Sequence, residues 1–125
     1  MEKYIEKARI IMEALPYIKE FWGKTVVVKY GGNAMESEKL KELVMQDIAL
    51  LKLVGINIVI VHGGGPVISD FMKRLGKDPV FLDGYRYTDE ETMAVTEMVL
   101  SGLINKELVA AVNAHGIKAI GVSGK

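Results

Sequence analysis

Apolar side chains near the N-terminus recur in alternating steps of four and three: Tyr4, Ala8, Ile11, Leu15, Ile18 and Trp22. That spacing draws one apolar seam along a helix and predicts a helical arm over 1–22. Pro16 lacks an amide donor and crowds the preceding turn, so a kink or a split is expected there. The seam packs either on its own domain or on another subunit, and the pattern leaves both open.

From residue 23 the pattern changes. Thr25–Tyr30 is a β-branched run and predicts a buried strand. Gly31 and Gly32 end it. A helix follows over 38–54, with Leu40, Leu43, Val44, Ile48 and Leu51 on one side, interrupted by Asp47. Gly55 stands where a left-handed helix stop belongs. Residues 56–61 are nearly all apolar, as in a strand covered on both faces. Gly63–Gly65 turn the chain, and Pro66 opens a short helix carrying Ile68, Phe71, Met72 and Leu75 that Gly76 stops.

Asp83-Gly84 between 80–82 and 85–87 predicts a tight hairpin. Thr88 with Glu91 three residues on forms a capping box for a helix over 89–103. A second helix is expected over 105–114, up to His115-Gly116, and a third buried strand over 118–122. This order predicts an α/β fold, a three-layer sandwich around a mainly parallel central sheet. Strand ends carry the site loops in such sheets, and Gly124-Lys125 follows the third strand directly. The expectation is therefore an arm over 1–22 and a truncated ligand-binding domain over 23–125.

Composition narrows the function. Among 125 residues, half are apolar and a quarter charged, the balance of a globular domain. Lys+Arg and Asp+Glu both number 16, which gives no electrostatic case for nucleic acid. There is no cysteine, so disulfides and thiolate metal sites are excluded. Charges at Glu2, Lys3, Glu6, Lys7 and Arg9 break any signal-like run, and no apolar stretch approaches the ~20 residues of a membrane span. A cytoplasmic location fits.

Three segments carry candidate chemistry. Lys29 at a strand end, followed by Gly31 and Gly32, lets backbone amides approach an anion beside a positive charge. The alternative is a plain turn with a surface lysine. Gly63, Gly64 and Gly65, between a strand and a helix N-terminus, present amides and the helix dipole to one point. His62 reads better as a strand-end histidine with a partner than as a base. Arg86, on the second hairpin arm opposite Phe81, offers a fork to a carboxylate, or is simply exposed. The glycine runs do not match the dinucleotide fingerprint. Gly124-Lys125 lacks the first Walker glycine, where Ala119 stands.

Together these segments resemble the amino acid kinase family, and within it the branch that phosphorylates N-acetyl-L-glutamate. Val-Lys-Tyr-Gly-Gly-Asn at 28–33, Val-His-Gly-Gly-Gly-Pro at 61–66, Gly-Tyr-Arg-Tyr-Thr-Asp at 84–89 and Asn-Lys at 105–106 fall in the family's order. Tyr87 departs from an expected valine. The resemblance implies ATP-dependent transfer to the acceptor's side-chain carboxylate, a step of arginine synthesis, with Mg²⁺ accompanying ATP. It implies that Lys29 is catalytic and binds phosphate with Gly31 and Gly32, and that Gly64, Gly65 and Arg86 bind the acyl amino acid. No metal ligand is assigned. The arm resembles that of arginine-inhibited oligomeric members, so a homo-oligomer and an arginine effector are implied. The family's nucleotide-binding half is not matched, which implies that these residues alone are inactive. The alternatives are a carbamate or acidic amino acid kinase, or a non-catalytic binding or assembly module.

Overall fold

The computed structural model describes residues 1–35 and 37–125; the Asn33 side chain and Glu36 lie outside that description. Its centre is a β-α-β unit. β1 (Thr25–Tyr30) pairs in parallel with β2 (Asn57–His62), in register from Thr25 opposite Asn57 to Tyr30 opposite His62. The crossover is α2 (Glu38–Leu53), whose first turn Ser37 caps by accepting from the Leu40 amide. Gly55 ends it at φ 94°, a left-handed stop that only glycine adopts freely.

α3 (Gly65–Arg74) follows, then a short hairpin of β3 (Phe81–Leu82) and β4 (Tyr85–Arg86), turned by Asp83 and Gly84. α4 (Glu90–Glu97) leads into a π-helical segment, Met98–Ile104, and that into α5 (Asn105–Ala114). The two helices predicted over 89–103 and 105–114 are therefore one rod with a widened middle turn. Its start is also corrected. Asp89, not Thr88, is the cap, accepting from the Thr92 amide at 2.8 Å. Thr88 instead donates its hydroxyl to the Arg86 carbonyl.

Two apolar clusters hold this together. Tyr30, Met45, Ile48 and Val112 join the inner face of the strands to α2 and α5. Ile68, Met72, Val95, Val99 and Ile104 join α3 to α4 and the π segment. Each such buried side chain contributes about 1.5–3 kcal/mol.

Two expectations are corrected. The strands are covered on one face only: Val26, Val28, Ile58 and Ile60 are half-buried, while Val27, Val59 and Val61 are exposed. Residues 118–122 join no sheet; Ile120 and Val122 are exposed, and among the described residues the segment makes no backbone–backbone hydrogen bond. The expected arm, α1 (Glu2–Phe21), is one helix that continues through Pro16 without a split, and none of its residues is buried. Among the described residues no helix is long and apolar enough to cross a membrane.

Candidate functional site

Both glycine turns lie at the carboxyl ends of paired parallel strands, so the register that aligns Tyr30 with His62 also sets the turns side by side. The Gly63 amide donates to the Tyr30 carbonyl at 3.0 Å. A Cβ on Gly31 would stand 4.0 Å from the Gly63 nitrogen, which measures how closely the turns approach. The Tyr30 hydroxyl donates to the Ala34 carbonyl at 3.0 Å and pins the far side of the first turn. Burial raises that hydroxyl's pKa.

Gly64 is buried against the π segment. A Cβ there would overlap the ends of the Leu100 and Ile104 side chains, which would have to shift. Its carbonyl accepts the first helical bond of α3, from Ile68 at 2.9 Å. The amides of the first turn of α3 have no partner within the helix, and the helix dipole makes that end positive.

Arg86 reaches back to the same point. It pairs with Phe81 across the hairpin, as expected, and its guanidinium lies 4.8 Å over the Phe81 ring. Nη2 donates to the Gly65 carbonyl at 2.9 Å and to Ser69 Oγ at 2.8 Å; Nη1 lies 3.4 Å from Met72 Sδ. Gly64, Gly65 and Arg86 thus form one cluster. Lys29 lies opposite Val61 on the open face of the sheet and is exposed; among the described residues it makes no ion pair. His62 Nδ1 lies 3.0 Å from the Gly63 carbonyl, a partner consistent with a strand-end role.

Below the hairpin lies an ionic group that the sequence did not disclose. Lys77 donates to both Asp89 carboxylate oxygens, at 2.8 and 2.7 Å, and to Glu91 at 2.8 Å. The Lys77 bond, then those from Thr92, hold the Asp89 carboxyl well below the usual carboxylate range. Asp89, then Glu91, raise the Lys77 ammonium above its ordinary value. Ser69, Leu100 and Ile104 were also missed. A lone serine or leucine on a helix carries no signal of what it faces.

The amino acid kinase family model matches residues 24–125, everything except the arm. The chain belongs to the amino acid kinase family. Similar members include the acetylglutamate kinase of Chromobacterium violaceum, 61% identical over 96% of this chain and 42% of its own length. That of Clostridium kluyveri is 58% identical over 97% of this chain and 43% of its own. That of Carboxydothermus hydrogenoformans is 56% identical over all of this chain and 42% of its own. The chain spans under half the length of the curated relatives it matches. Among solved structures, Neisseria gonorrhoeae N-acetylglutamate synthase with coenzyme A and N-acetyl-glutamate superposes with a TM-score of 0.70 at 28% identity, covering 88% of this chain and 26% of that one. The same enzyme with coenzyme A and L-arginine gives 0.60 at 26%, over 89% and 26%.

For an amino acid kinase, magnesium is the expected companion of ATP. Among the described residues no group of three or more His, Asp or Glu side chains could hold a metal ion. No described residue is assigned as a magnesium ligand.

Proposed function

We propose that these residues form the acyl-amino-acid-binding part of an ATP-dependent kinase acting on the side-chain carboxylate of N-acetyl-L-glutamate, in arginine synthesis. The observation that carries the reading is the Arg86–Gly65 bond: a carboxylate-gripping fork and an amide-lined helix start occupy one place. The curated names of relatives at 55–61% identity support the same acceptor.

The acceptor needs no base. A glutamate side chain with a pKa near ~4.3 is ionised at neutral pH. The difficulty is electrostatic, because one anion must approach another. Arg86 would grip the α-carboxylate, keeping the acceptor's charge compensated. Amides of Gly64 and Gly65 would meet the substrate and the forming acyl phosphate. Lys29, with the Gly31 and Gly32 amides, would offset the charge of the transferring phosphoryl group. The exposed seam of α1 supports an oligomerisation role for the arm, and arginine fits as an effector of such an assembly. The 125 residues alone supply one lysine and backbone amides, too little to hold a nucleotide, so they are expected to be inactive.

The test is kinetic, in a full-length acetylglutamate kinase that carries these residues, with hydroxylamine trapping acyl phosphate. Arg86→Lys removes one prong of a charged pair, about 1.5–3 kcal/mol, and should raise the KM for N-acetylglutamate roughly ten- to a hundredfold while that for ATP stays put. Lys29→Ala should instead lower kcat, since the charge it faces grows in the transition state. An unchanged acceptor KM in Arg86→Lys removes Arg86 from the site.

A further inference from the structure

The hairpin that carries Arg86 cannot stand by itself. Each strand is two residues long, and Phe81, Leu82 and Tyr85 are all exposed. A two-stranded hairpin of this size has no core and is marginal in water. Yet Arg86 is held within 2.9 Å of Gly65 and 2.8 Å of Ser69. Something must fix the segment that presents it.

The ionic group at the hairpin's base does this. Lys77 is anchored to α3 through its backbone amide, which donates to the Met72 carbonyl at 2.9 Å. Asp89 is anchored to α4 as its cap, and the residue it caps, Thr92, is fully buried. The bond from the Lys77 ammonium to both Asp89 oxygens therefore ties two packed helices across the mouth of residues 78–88 and closes them into a loop. Within it, the Tyr87 amide donates to the Val80 carbonyl at 2.9 Å and Thr88 to the Arg86 carbonyl at 3.1 Å. These bonds carry the constraint from Asp89 up to Arg86, three residues away.

We infer that Lys77 is a positioning residue for the carboxylate clamp: by closing the loop against Asp89 it holds Arg86 against the Gly64–Gly65 turn. This rests on the reading of Arg86 given above. Its three ammonium protons already serve Asp89 and Glu91, so Lys77 is not itself a ligand for substrate. Glu91, with its side chain 71% exposed, is the more dispensable partner.

The test uses the same full-length kinase. Lys77→Met keeps the apolar stem and removes the charge. It should raise the KM for N-acetylglutamate on the order of tenfold, within the range that coupled contacts transmit, and leave kcat and the KM for ATP within about twofold. Lys77→Arg should restore most of the affinity. Asp89→Asn still caps α4, because asparagine caps as well as aspartate, but it no longer offers two anionic oxygens. It should reproduce the Lys77→Met effect, and the double variant should be no worse than either single one. Should Lys77→Met fail to fold by circular dichroism, Asp89→Asn decides alone. If Arg86→Lys raises the acceptor KM but neither Lys77→Met nor Asp89→Asn does, the loop positions nothing and the inference falls while the function stands. If Arg86→Lys has no effect, the function reading falls first. A loss of kcat with unchanged KM in Lys77→Met would also overturn the inference.

Discussion

The two strands at the heart of this molecule end very differently from how they are edged. At their carboxyl ends the chain is closed over itself. Gly63 is bonded to Tyr30, Gly64 is sealed under Leu100 and Ile104, and Arg86 is bonded to Gly65 and Ser69. Along the outer edge of β2 the reverse holds. Among the described residues β2 has a strand partner on one side only, and near its free edge runs the 117–122 segment, which joins no strand and whose Ala119 amide and Val122 carbonyl bond the Asn113 and Asn105 side chains instead. Between them lies a cavity of about 440 Å³ lined by Ile58, Ile60, Val112, Ile117 and Ala119 among others. The lesson is that the glycine-turn end is closed by contacts among these residues, whereas the β2 edge has no strand partner among the described residues.

The largest expected effect concerns that edge. Residues 117–122 alternate as a strand does: Ile117, Ala119 and Gly121 are half-buried, Lys118, Ile120 and Val122 exposed. β2 alternates in the same sense, and both backbones face one slot. Unpaired strand groups on an apolar slot are costly to leave open. The curated relatives are more than twice as long as this chain. In a full-length acetylglutamate kinase the equivalent slot is expected to hold one intervening strand, which would put the equivalents of β2 and 117–122 two strand spacings, about 10 Å, apart. Cysteines at Val61 and Ile120, or at Val59 and Ile120, should then resist direct oxidation to a disulfide, which needs Cα atoms within about 7 Å, yet be joined by a longer bifunctional reagent. Ready disulfide formation at either pair would mean the two segments pair directly.

That contrast also explains what the sequence could and could not disclose. The β-α-β unit, the Gly55 stop and the Asp83-Gly84 turn were legible because each is dictated within a few residues. The reading of 118–122 as a third buried strand was wrong: the segment alternates between half-buried and exposed positions but pairs with no strand among the described residues. The same holds for the open faces of β1 and β2, whose apolar run anticipated a cover that these residues lack. Two separate helices, 89–103 and 105–114, were expected; the chain instead widens into a π segment that sets Leu100 and Ile104 against Gly64. Of the candidate site residues, the structure brings Gly64, Gly65 and Arg86 together and leaves Lys29 on the open face of the sheet. Lys77 was not, because a lysine in a polar stretch shows nothing of an aspartate twelve positions on.

A middle-sized effect separates two adjacent glycines at the closed end. Gly64→Ala places a methyl group into Leu100 and Ile104, packed side chains of the second cluster. Overpacking of this kind costs about 1–3 kcal/mol. Gly63→Ala meets nothing within 4 Å and keeps the amide that bonds Tyr30. It should change stability by no more than about 0.5 kcal/mol. Urea midpoints of the two variants decide the matter. Equal losses would mean that the turn is limited by backbone conformation, not by the π segment above it.

The smallest effect is a pH dependence at the base of the hairpin. Asp89 has an ordinary carboxyl value of 3.8 and is held well below it in the folded chain, first by the bond from Lys77 and then by those from Thr92. A depressed folded value means that the native state binds this proton less readily than the unfolded state does. The stabilisation is therefore complete above the unfolded value and declines only as pH falls below about 4, through the folded value. Lys77 keeps its charge throughout that range, so the carboxylate alone sets the slope. The Asp89 side chain is 41% exposed, so solvent screens the pair and the effect stays small. Asparagine at this position preserves the cap but cannot titrate. Unfolding midpoints of the parent and Asp89→Asn chains, measured from pH 6 to pH 2, should run parallel down to pH 4. Below it they should converge, as the parent loses what the variant never had. Raised salt should narrow the gap above pH 4. Curves that stay parallel to pH 2 would show that Asp89 stabilises α4 through its cap bond alone, leaving Lys77 without a hold on the hairpin.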